Sequence, residues 1–386
     1  MAEARGAVPT SELPVLVVGA GFAGLAAAWA AARAGVAVHV VHASAGASAL
    51  YSGIADGPTP GAETLELSMR LGLSLGSAPR AVPTREGVVR LAMGRDRAVL
   101  DLEALAGRRI SVADVGRDDW DARLLAQSFT ASAWARRTRT EFLAVPVPGL
   151  SEGAERRISP YDFARRFDDN ARLVALAQAL RTAEPDAAAW LLGPWLGVET
   201  EAASQLAALL SRPVGEVSSA PGGAAGARFE LRRDEILREL AVDVRVASVR
   251  SVVAGSDSLV LELSDNSRLE GRAVVLALGG VVAGGIVLVP EAGSGKLRFQ
   301  LSLAAPATLR LDAEALDAGS SLWGPSFHRL GMTALERVGV RADAVGRVSG
   351  AVRCFAAGDL TAGRPRTVLE ALNAGIVAGR GAASEP

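Results

Sequence analysis

The sequence feature that most constrains the fold is a glycine motif, G-x-G-x-x-G, that lies near the start of the chain between two apolar runs. An alanine-rich stretch of helical character separates the motif from the second run. In chain order the segments are Val15–Val18, Gly19 to Gly24, about Phe22 to Ala34, and Val36–Val41. A strand, a glycine turn, a helix and a second strand in this order form a βαβ unit with the dinucleotide-binding fingerprint.

Each glycine of the motif has its own role in such a unit. Gly19 permits the tight turn, a side chain at Gly21 would block the pyrophosphate, and Gly24 lets the helix pack close to the sheet. The N-terminus of the helix, at Phe22 and Ala23, offers N–H groups and positive dipole to the phosphates. We therefore predict that these five residues contact a dinucleotide.

His42 departs from the usual pattern at the end of the second strand. A carboxylate normally holds the adenosine ribose hydroxyls there, and an imidazole cannot accept two hydrogen bonds as Asp or Glu does. One interpretation is drift at a site that binds weakly or not at all. The other is a different contact between His42 and the ligand, or a shorter flavin without the adenosine.

Composition excludes several classes of protein. The chain has 386 residues, of which 49% are hydrophobic, and a formal net charge of −1, which argues against nucleic acid as a partner. Cys354 is the single cysteine, so this chain alone can hold neither a disulfide framework nor an iron–sulfur cluster. Its three histidines are not at metal-ligand spacing, and we predict no metal site.

The apolar runs favour a cytoplasmic protein without a membrane span. The longest run, Ala273–Pro290, is interrupted by four glycines, and no apolar signal core precedes Pro14. We therefore expect the cytoplasm as the location, with attachment to the inner membrane only through a partner.

The remaining pattern predicts an α/β protein with two interleaved domains. The Rossmann-like domain continues with a β-meander over Val242–Leu269 and an apolar strand running into glycines at Ala273–Gly280. Val352–Ala357 is its last strand. Amphipathic helices indicate an inserted α+β substrate or cap domain, including Ala62–Leu73 and Pro160–Thr182. The predicted flavin-binding domain comprises residues 12–60, 213–285 and 348–386, and the cap domain 61–212 and 286–347.

Three separated pieces of the chain resemble flavoproteins with two dinucleotide-binding domains: the opening fingerprint, the strand ending in LALGG, and the closing FAAGD segment with its helix. Within that superfamily the chain looks most like the B-type subunit of anaerobic glycerol-3-phosphate dehydrogenase. The similar segments are Ser48–Gly57, Ser218–Phe229, Val274–Val287, Gly339–Asp343 and Phe355–Gly363.

The resemblance implies FAD, with FMN as the alternative, and it implies further contacts. Asp359 and Gly358 correspond to the loop at the flavin ribityl and phosphate groups, and Thr367 to the helix start that faces the flavin pyrimidine. The small residues of the loop after the second strand allow close approach to a ligand. Ser52 and Gly53 of that loop, with Gly279 after the LALGG strand, are therefore candidate contacts.

The resemblance implies a dehydrogenase that oxidises a small hydroxy compound, such as glycerol 3-phosphate, and passes electrons to a partner subunit carrying an iron–sulfur cluster. Arg366 could stabilise reduced flavin, and His328 is the best candidate for a general base. Arg364 and Arg366, with Arg228 and His328, could instead bind a substrate phosphate or carboxylate. The alternatives are a non-catalytic scaffold or electron-relay subunit, and a stand-alone FAD-dependent oxidase or dehydrogenase.

Overall fold

The computed structural model describes residues 13–44, 46–150, 153–255, 257–293, 296–304, 311–312, 316–317 and 336–386. Its contacts divide the chain into two compact units. Unit one comprises 1–48, 60–67 and 233–386, and unit two comprises 49–59 and 68–232. The helices are α1 Phe22–Arg33, α2 Ala62–Arg70, α3 Ala122–Thr130, α4 Ala133–Thr138, α5 Pro160–Arg165, α6 Asn170–Ala183, α7 Ala202–Leu210, α8 Ala224–Glu239 and α9 Val368–Ala383.

The described strands are short and numerous. They are β1 Val15–Val18, β2 Val38–His42, β3 Ile54–Ala55, β4 Leu73–Pro83, β5 Val89–Asp96, β6 Arg109–Asp114, β7 Glu141–Pro146, β8 Trp190–Leu192, β9 Val214–Glu216, β10 Asp243–Val246, β11 Val249–Ala254, β12 Leu259–Leu263, β13 Arg268–Gly271, β14 Ala273–Leu276, β15 Ile286–Pro290, β16 Lys296–Leu301, β17 Leu311–Asp312, β18 Leu316–Asp317, β19 Gly339–Val340 and β20 Cys354–Ala356.

Unit one is built on a five-stranded sheet of order β10-β2-β1-β14-β20, in which every neighbouring pair is parallel. The residues of β1 and β14 are buried throughout, as expected for apolar strands covered on both faces. This confirms the Rossmann-like α/β fold that the opening motif and the LALGG strand predict.

Helices α1 and α9 pack closely because glycines of α9 meet the backbone of α1. A Cβ at Gly375 would lie 2.2 Å from the Ala23 carbonyl oxygen, and one at Gly379 would lie 2.2 Å from that of Ala27. Any side chain at these two positions would therefore force the helices apart. Glycine in the interior of α9 costs helix propensity, and the close packing explains its presence.

The meander of unit one is three-stranded and antiparallel, in the order β11-β12-β13. The prediction that Val242–Val249 belongs to it was right only for Val249, which begins β11. β10 lies in the main sheet, where Val244 pairs with Val40. The Val-x-Val pattern of this stretch suits either place, so the sequence alone could not decide. Leu261 and Leu263 of the meander join Leu16 in one buried cluster.

Unit two contains a second parallel sheet, of order β7-β6-β8-β9. It also contains an antiparallel sheet of order β3-β5-β4. Trp195 lies in the core with Phe163 and Phe167, and its ring stacks on Phe167 at a centroid distance of 5.6 Å. The sequence predicts an α+β domain here, and its pattern of short strands does not indicate that four of them form a parallel sheet.

The helix predicted over 160–182 is divided into α5 and α6 by a 3-10 turn at Arg166–Asp168. Asp169 caps α6 by accepting a hydrogen bond from the Arg172 N–H, at 3.1 Å. The Asp168 carboxylate accepts from the Val198 and Thr200 N–H groups. Asp169 therefore begins α6, and Asp168 ties the turn between the two helices to the loop at residues 198–200.

The compact units divide the chain at different points from the predicted domains. Residues 286–304 and 336–347 belong by contacts to unit one. A backbone bridge joins Val340 to Thr361, and another joins Arg347 to Phe355. The flavin and cap domains are defined by what they bind, so that functional division stays a prediction.

Candidate cofactor site

Four of the predicted contacts follow neighbouring parallel strands of unit one. Gly19 follows β1, His42 ends β2, Gly279 follows β14 shortly after its end, and Gly358 follows β20. Because the carboxyl ends of parallel strands meet at one edge of a sheet, these four positions share that edge. In open α/β sheets this edge is where ligands bind.

The glycine turn has the geometry that the motif requires. Gly19 has φ of +110°, and a Cβ there would lie 2.2 Å from the Ala277 carbonyl oxygen. A Cβ at Gly24 would lie 1.9 Å from the Gly19 carbonyl oxygen. These two glycines therefore shape the turn itself. At Gly21, by contrast, an added Cβ would meet only the Ser48 side chain, with Ser48 Oγ at 2.7 Å.

The first turn of α1 provides donors for a phosphate. The Phe22 N–H donates to Ser48 Oγ at 3.1 Å, and the Leu25 N–H donates to the Gly21 carbonyl. Between them, the N–H groups of Ala23 and Gly24 have no hydrogen-bond acceptor in the described part of the chain. Donors in a first helical turn beside a glycine cradle fit a pyrophosphate.

Two residues near this turn were missed by the sequence analysis. Ser48 lies in a loop of small residues, where nothing marks one hydroxyl above another. Arg233 is about 4% exposed, and its Nη1 donates to the Ala20 carbonyl inside the glycine turn at 3.4 Å. Asp234 pairs with the same guanidinium at 2.7 Å. Arg233 lies more than 200 residues after Ala20 in the sequence, so no local pattern indicates this contact.

The closing loop lies against the glycine turn. Gly358 has φ of +67°, and a Cβ there would meet the Ala23 Cβ at 2.7 Å. Burial raises the pKa of Asp359, an effect that the positive charge of Arg366 opposes. The Thr367 hydroxyl precedes α9, is buried, and has no hydrogen-bond partner in the described chain. This orphaned hydroxyl fits a polar atom of a bound flavin.

Arg366 lies between this loop and the last helix. Its Nη2 donates to the Val338 carbonyl at 2.8 Å, and burial lowers the pKa of its guanidinium. An added Cβ at Gly280 would lie 2.8 Å from Arg366 Nη1. The loops after β14 and β20 are therefore in contact through Gly280 and Arg366.

His42 ends β2, where a carboxylate usually contacts the ribose. Its Nδ1 lies 3.2 Å from the Ser44 carbonyl oxygen, and the side chain is partly exposed. If Nδ1 carries the proton, the ring donates to that carbonyl and its other nitrogen is an acceptor for a single hydroxyl.

Ser52 and Gly53 belong to unit two. The Ser52 carbonyl accepts a hydrogen bond from the Ser219 N–H, and the Gly53 carbonyl accepts one from the Asp96 N–H, each at 2.7 Å. Gly53 has φ of +89°, which favours glycine. The segment is thus fixed by backbone hydrogen bonds, and its contact with a cofactor stays a prediction.

Arg228 is committed to a buried ion cluster in unit two. Its Nε donates to Asp96 at 3.1 Å, its Nη2 to Glu216 at 2.7 Å, and its Nη1 to the Gly197 carbonyl at 2.7 Å. All three side chains of the cluster are under 9% exposed. Burial raises the pKa of Glu216, although Arg228 opposes this rise. This arrangement does not leave Arg228 for a substrate anion.

The other candidate substrate contacts have different outcomes. Arg364 Nη1 donates to Glu370 at 2.8 Å, so this guanidinium is already paired. His328, the predicted general base, and Trp323 beside it lie outside the described residues. In the described ranges no group of three or more His, Cys, Asp or Glu side chains could hold a metal ion. No helix of those ranges is long and apolar enough to cross a membrane.

A protein family described as an FAD binding domain matches residues 12–159 of this chain. No curated protein matches. The match covers the glycine turn, β2 and the loop after it, and it supports FAD over the mononucleotide alternative. Together with the parallel sheet and the donors of α1, it shows a flavoprotein with FAD as its cofactor. Protein-bound FAD serves redox chemistry.

Several solved structures are similar to this chain at low identity. A flavocytochrome c3 fumarate reductase has 13% identity and a TM-score of 0.37, covering 97% of this chain and 78% of that one. The GidA-related protein from Thermus thermophilus has 13% identity and a TM-score of 0.35, and the match covers 95% of this chain and 96% of that one. AlpK has 15% identity and a TM-score of 0.34, and the match covers 95% of this chain and 60% of that one. The chain spans about 60% of the first two structures matched. Scores at this level support no conclusion about activity.

Proposed function

We propose that this flavoprotein is a dehydrogenase subunit that oxidises a small hydroxy compound, with phosphorylated alcohols such as glycerol 3-phosphate as the substrate class. The observation that carries the redox part is the FAD-binding edge of unit one, with its glycine turn and the loop at Asp359. The substrate class is supported only by the sequence resemblance to the B-type subunit of anaerobic glycerol-3-phosphate dehydrogenase. FAD accepts a hydride from the substrate when it is bound.

The residues of this chain have assigned roles in the proposal. The N–H groups of Ala23 and Gly24 bind the pyrophosphate, and Asp359 orients the ribityl side. Arg366, beside the start of α9, places positive charge where reduced flavin gains electron density. The chain has one cysteine, so we propose that an iron–sulfur cluster on a partner subunit receives the electrons.

A scaffold or electron-relay role is the second candidate, and one observation favours it. Two of the four groups that could have bound a substrate anion are paired within the protein, Arg228 with two carboxylates and Arg364 with Glu370. Under this alternative the protein retains FAD but does not reduce it with substrate. A stand-alone oxidase would instead consume oxygen without any partner.

The first test is the absorbance spectrum of the purified chain, followed by the mass of the released ligand. We expect a flavin spectrum and the mass of FAD. Anaerobic addition of glycerol 3-phosphate should then bleach the flavin, and a dye should reoxidise it. Retained FAD that no small hydroxy compound bleaches would contradict the dehydrogenase proposal and support the scaffold, and oxygen uptake without a partner would support the oxidase.

Gly21→Val tests the assignment of the cofactor site. The added Cβ meets only the rotatable Ser48 side chain, and the valine side chain fills the pyrophosphate space, so we expect a folded protein without FAD. Gly61→Val is the matched control, because a Cβ at Gly61 would have nothing within 4 Å, and it should retain FAD. A Gly21→Val protein that stays fully loaded would refute the assignment.

A further inference from the structure

The five-stranded sheet of unit one has two edges, and the described part of the chain covers one of them. β20 forms one edge, and an antiparallel bridge between Arg347 and Phe355 lies against it. β10 forms the other edge, and among the described residues it pairs with β2 alone. An open strand edge is a template on which a further strand can pair.

The backbone of β10 turns alternate residues toward β2 and toward the open side. Just after β10, the Ala247 N–H donates to the His42 carbonyl at 2.9 Å. Backbone groups alternate in direction along a strand, so every second residue before Ala247 also faces β2. The N–H and carbonyl groups of Val244 and Val246 therefore face outward, where no described residue pairs with them.

The side chains of β10 are exposed, in contrast to those of the other strands of this sheet. Val246 is 75% exposed and Val244 is 40% exposed, whereas β1, β14 and β20 are buried throughout. On the opposite face of β10, the Asp243 side chain is 66% exposed and that of Arg245 is 36% exposed. Exposed valines beside unpaired backbone groups indicate a surface that another strand can cover.

The sequence of this edge is complementary to itself. Residues 242–246 read Val-Asp-Val-Arg-Val. When two copies of β10 pair antiparallel about a two-fold axis at Val244, Asp243 of each copy lies opposite Arg245 of the other, and valine lies opposite valine. Opposite charges across an antiparallel pair are stabilising, and like charges are destabilising. An axis at Asp243 or at Arg245 would place that residue opposite itself, so the charges select the register about Val244.

Both charged side chains keep polar atoms for a further contact. Arg245 Nη2 donates to Asp265 and to Ser267 Oγ, each at 2.7 Å, and Nε and Nη1 make no hydrogen bond within the described ranges. Asp243 Oδ2 lies 3.4 Å from His39 Nδ1, but these two atoms make no hydrogen bond. The carboxylate and the guanidinium can therefore each pair with a second copy.

We propose that β10 is an interface with a second copy of this chain, in which the two strands pair antiparallel about Val244 and join the two sheets. The outward N–H and carbonyl of Val244 then exchange hydrogen bonds with those of Val244 in the second copy. The Val242 N–H already donates to the Leu237 carbonyl at 3.0 Å, which limits the length of the pairing. A strand of four residues gives a small interface, so we expect a weak dimer with a Kd of about 10–100 µM.

Sedimentation velocity of the purified chain over a range of concentrations tests this proposal. We expect the wild type to dimerise, and Asp243→Arg and Arg245→Glu each to be monomeric, because each substitution places like charges opposite one another. An equimolar mixture of the two variants should regain the dimer, since every opposed pair in the mixed dimer carries opposite charges. A wild type that stays monomeric well above the expected Kd would overturn the proposal and assign the edge to a different partner. A mixture that stays monomeric would overturn the register.

Val244→Pro tests the strand pairing without changing any charge. The proline removes an outward N–H and leaves the ladder to β2 intact, as is tolerated on an edge strand, so we expect a folded monomer. Arg268→Glu is the control, because it makes the same charge change as Arg245→Glu at a 72% exposed side chain of β13, and it should keep the dimer. A Val244→Pro protein that dimerises as the wild type does would overturn the role of β10. The flavin spectrum of each variant reports on the cofactor site separately, and the oligomeric state does not bear on the dehydrogenase proposal.

Discussion

Replacing Arg228 with Met should destabilise unit two by an amount that depends strongly on pH. Arg228 makes ion pairs with Asp96 and Glu216 at 3.1 and 2.7 Å, and these carboxylates are 8% and 0% exposed. Its removal leaves two buried negative charges without a counter-ion. Removing one partner of a buried pair typically costs about 3–5 kcal/mol, so we expect a loss of that size at about pH 7.

The pH dependence follows from the direction of the pKa shift. Burial raises the pKa of Glu216, and Arg228 opposes that rise, so the variant should raise the pKa further. A carboxyl whose pKa is raised on folding binds a proton more readily in the folded state. Its contribution to stability is therefore fully present below the unfolded pKa and is lost as pH rises through the folded value. The destabilisation should shrink as pH falls toward about 5.

Urea unfolding followed by tryptophan fluorescence measures this effect, since Trp190 and Trp195 are buried in the core of unit two. Arg232→Met is the control on the same helix. Arg232 pairs with Glu201, whose side chain is 42% exposed, and such pairs contribute under about 1 kcal/mol. An Arg228→Met protein within about 1 kcal/mol of the wild type at neutral pH would refute the reasoning, and so would a loss that does not depend on pH.

Two further predictions concern single residues of unit one. Burial raises the pKa of Cys354 to about 12, so iodoacetamide should label this thiol only after unfolding, and rapid labelling of the native protein would show that β20 opens. His42→Glu restores the acceptor pair for the ribose and should tighten FAD binding measured by fluorescence titration; an unchanged Kd would show that the ribose is held elsewhere.

The opening βαβ unit was predictable because its signals are local. A side chain at Gly24 would collide with the Gly19 carbonyl, only five residues away, and one at Gly19 would collide with the backbone just after β14. The closing loop was predictable only through the resemblance, since a Gly-Asp pair alone does not indicate a flavin. Whether the loop at Gly358 and the helix after Thr367 meet α1 depends on packing, and the glycines of α9 could be interpreted only once Ala23 and Ala27 were placed against them.

The contacts that the sequence could not reveal are mainly those of arginine. This chain has 41 basic residues, so the presence of an arginine near a glycine-rich stretch says little about an anion site. Arg228 and Arg233 follow one another closely in the sequence, yet one neutralises buried carboxylates and the other donates into the glycine turn. Which arginine meets a ligand is decided by the carboxylates and carbonyls that tertiary packing brings to each guanidinium.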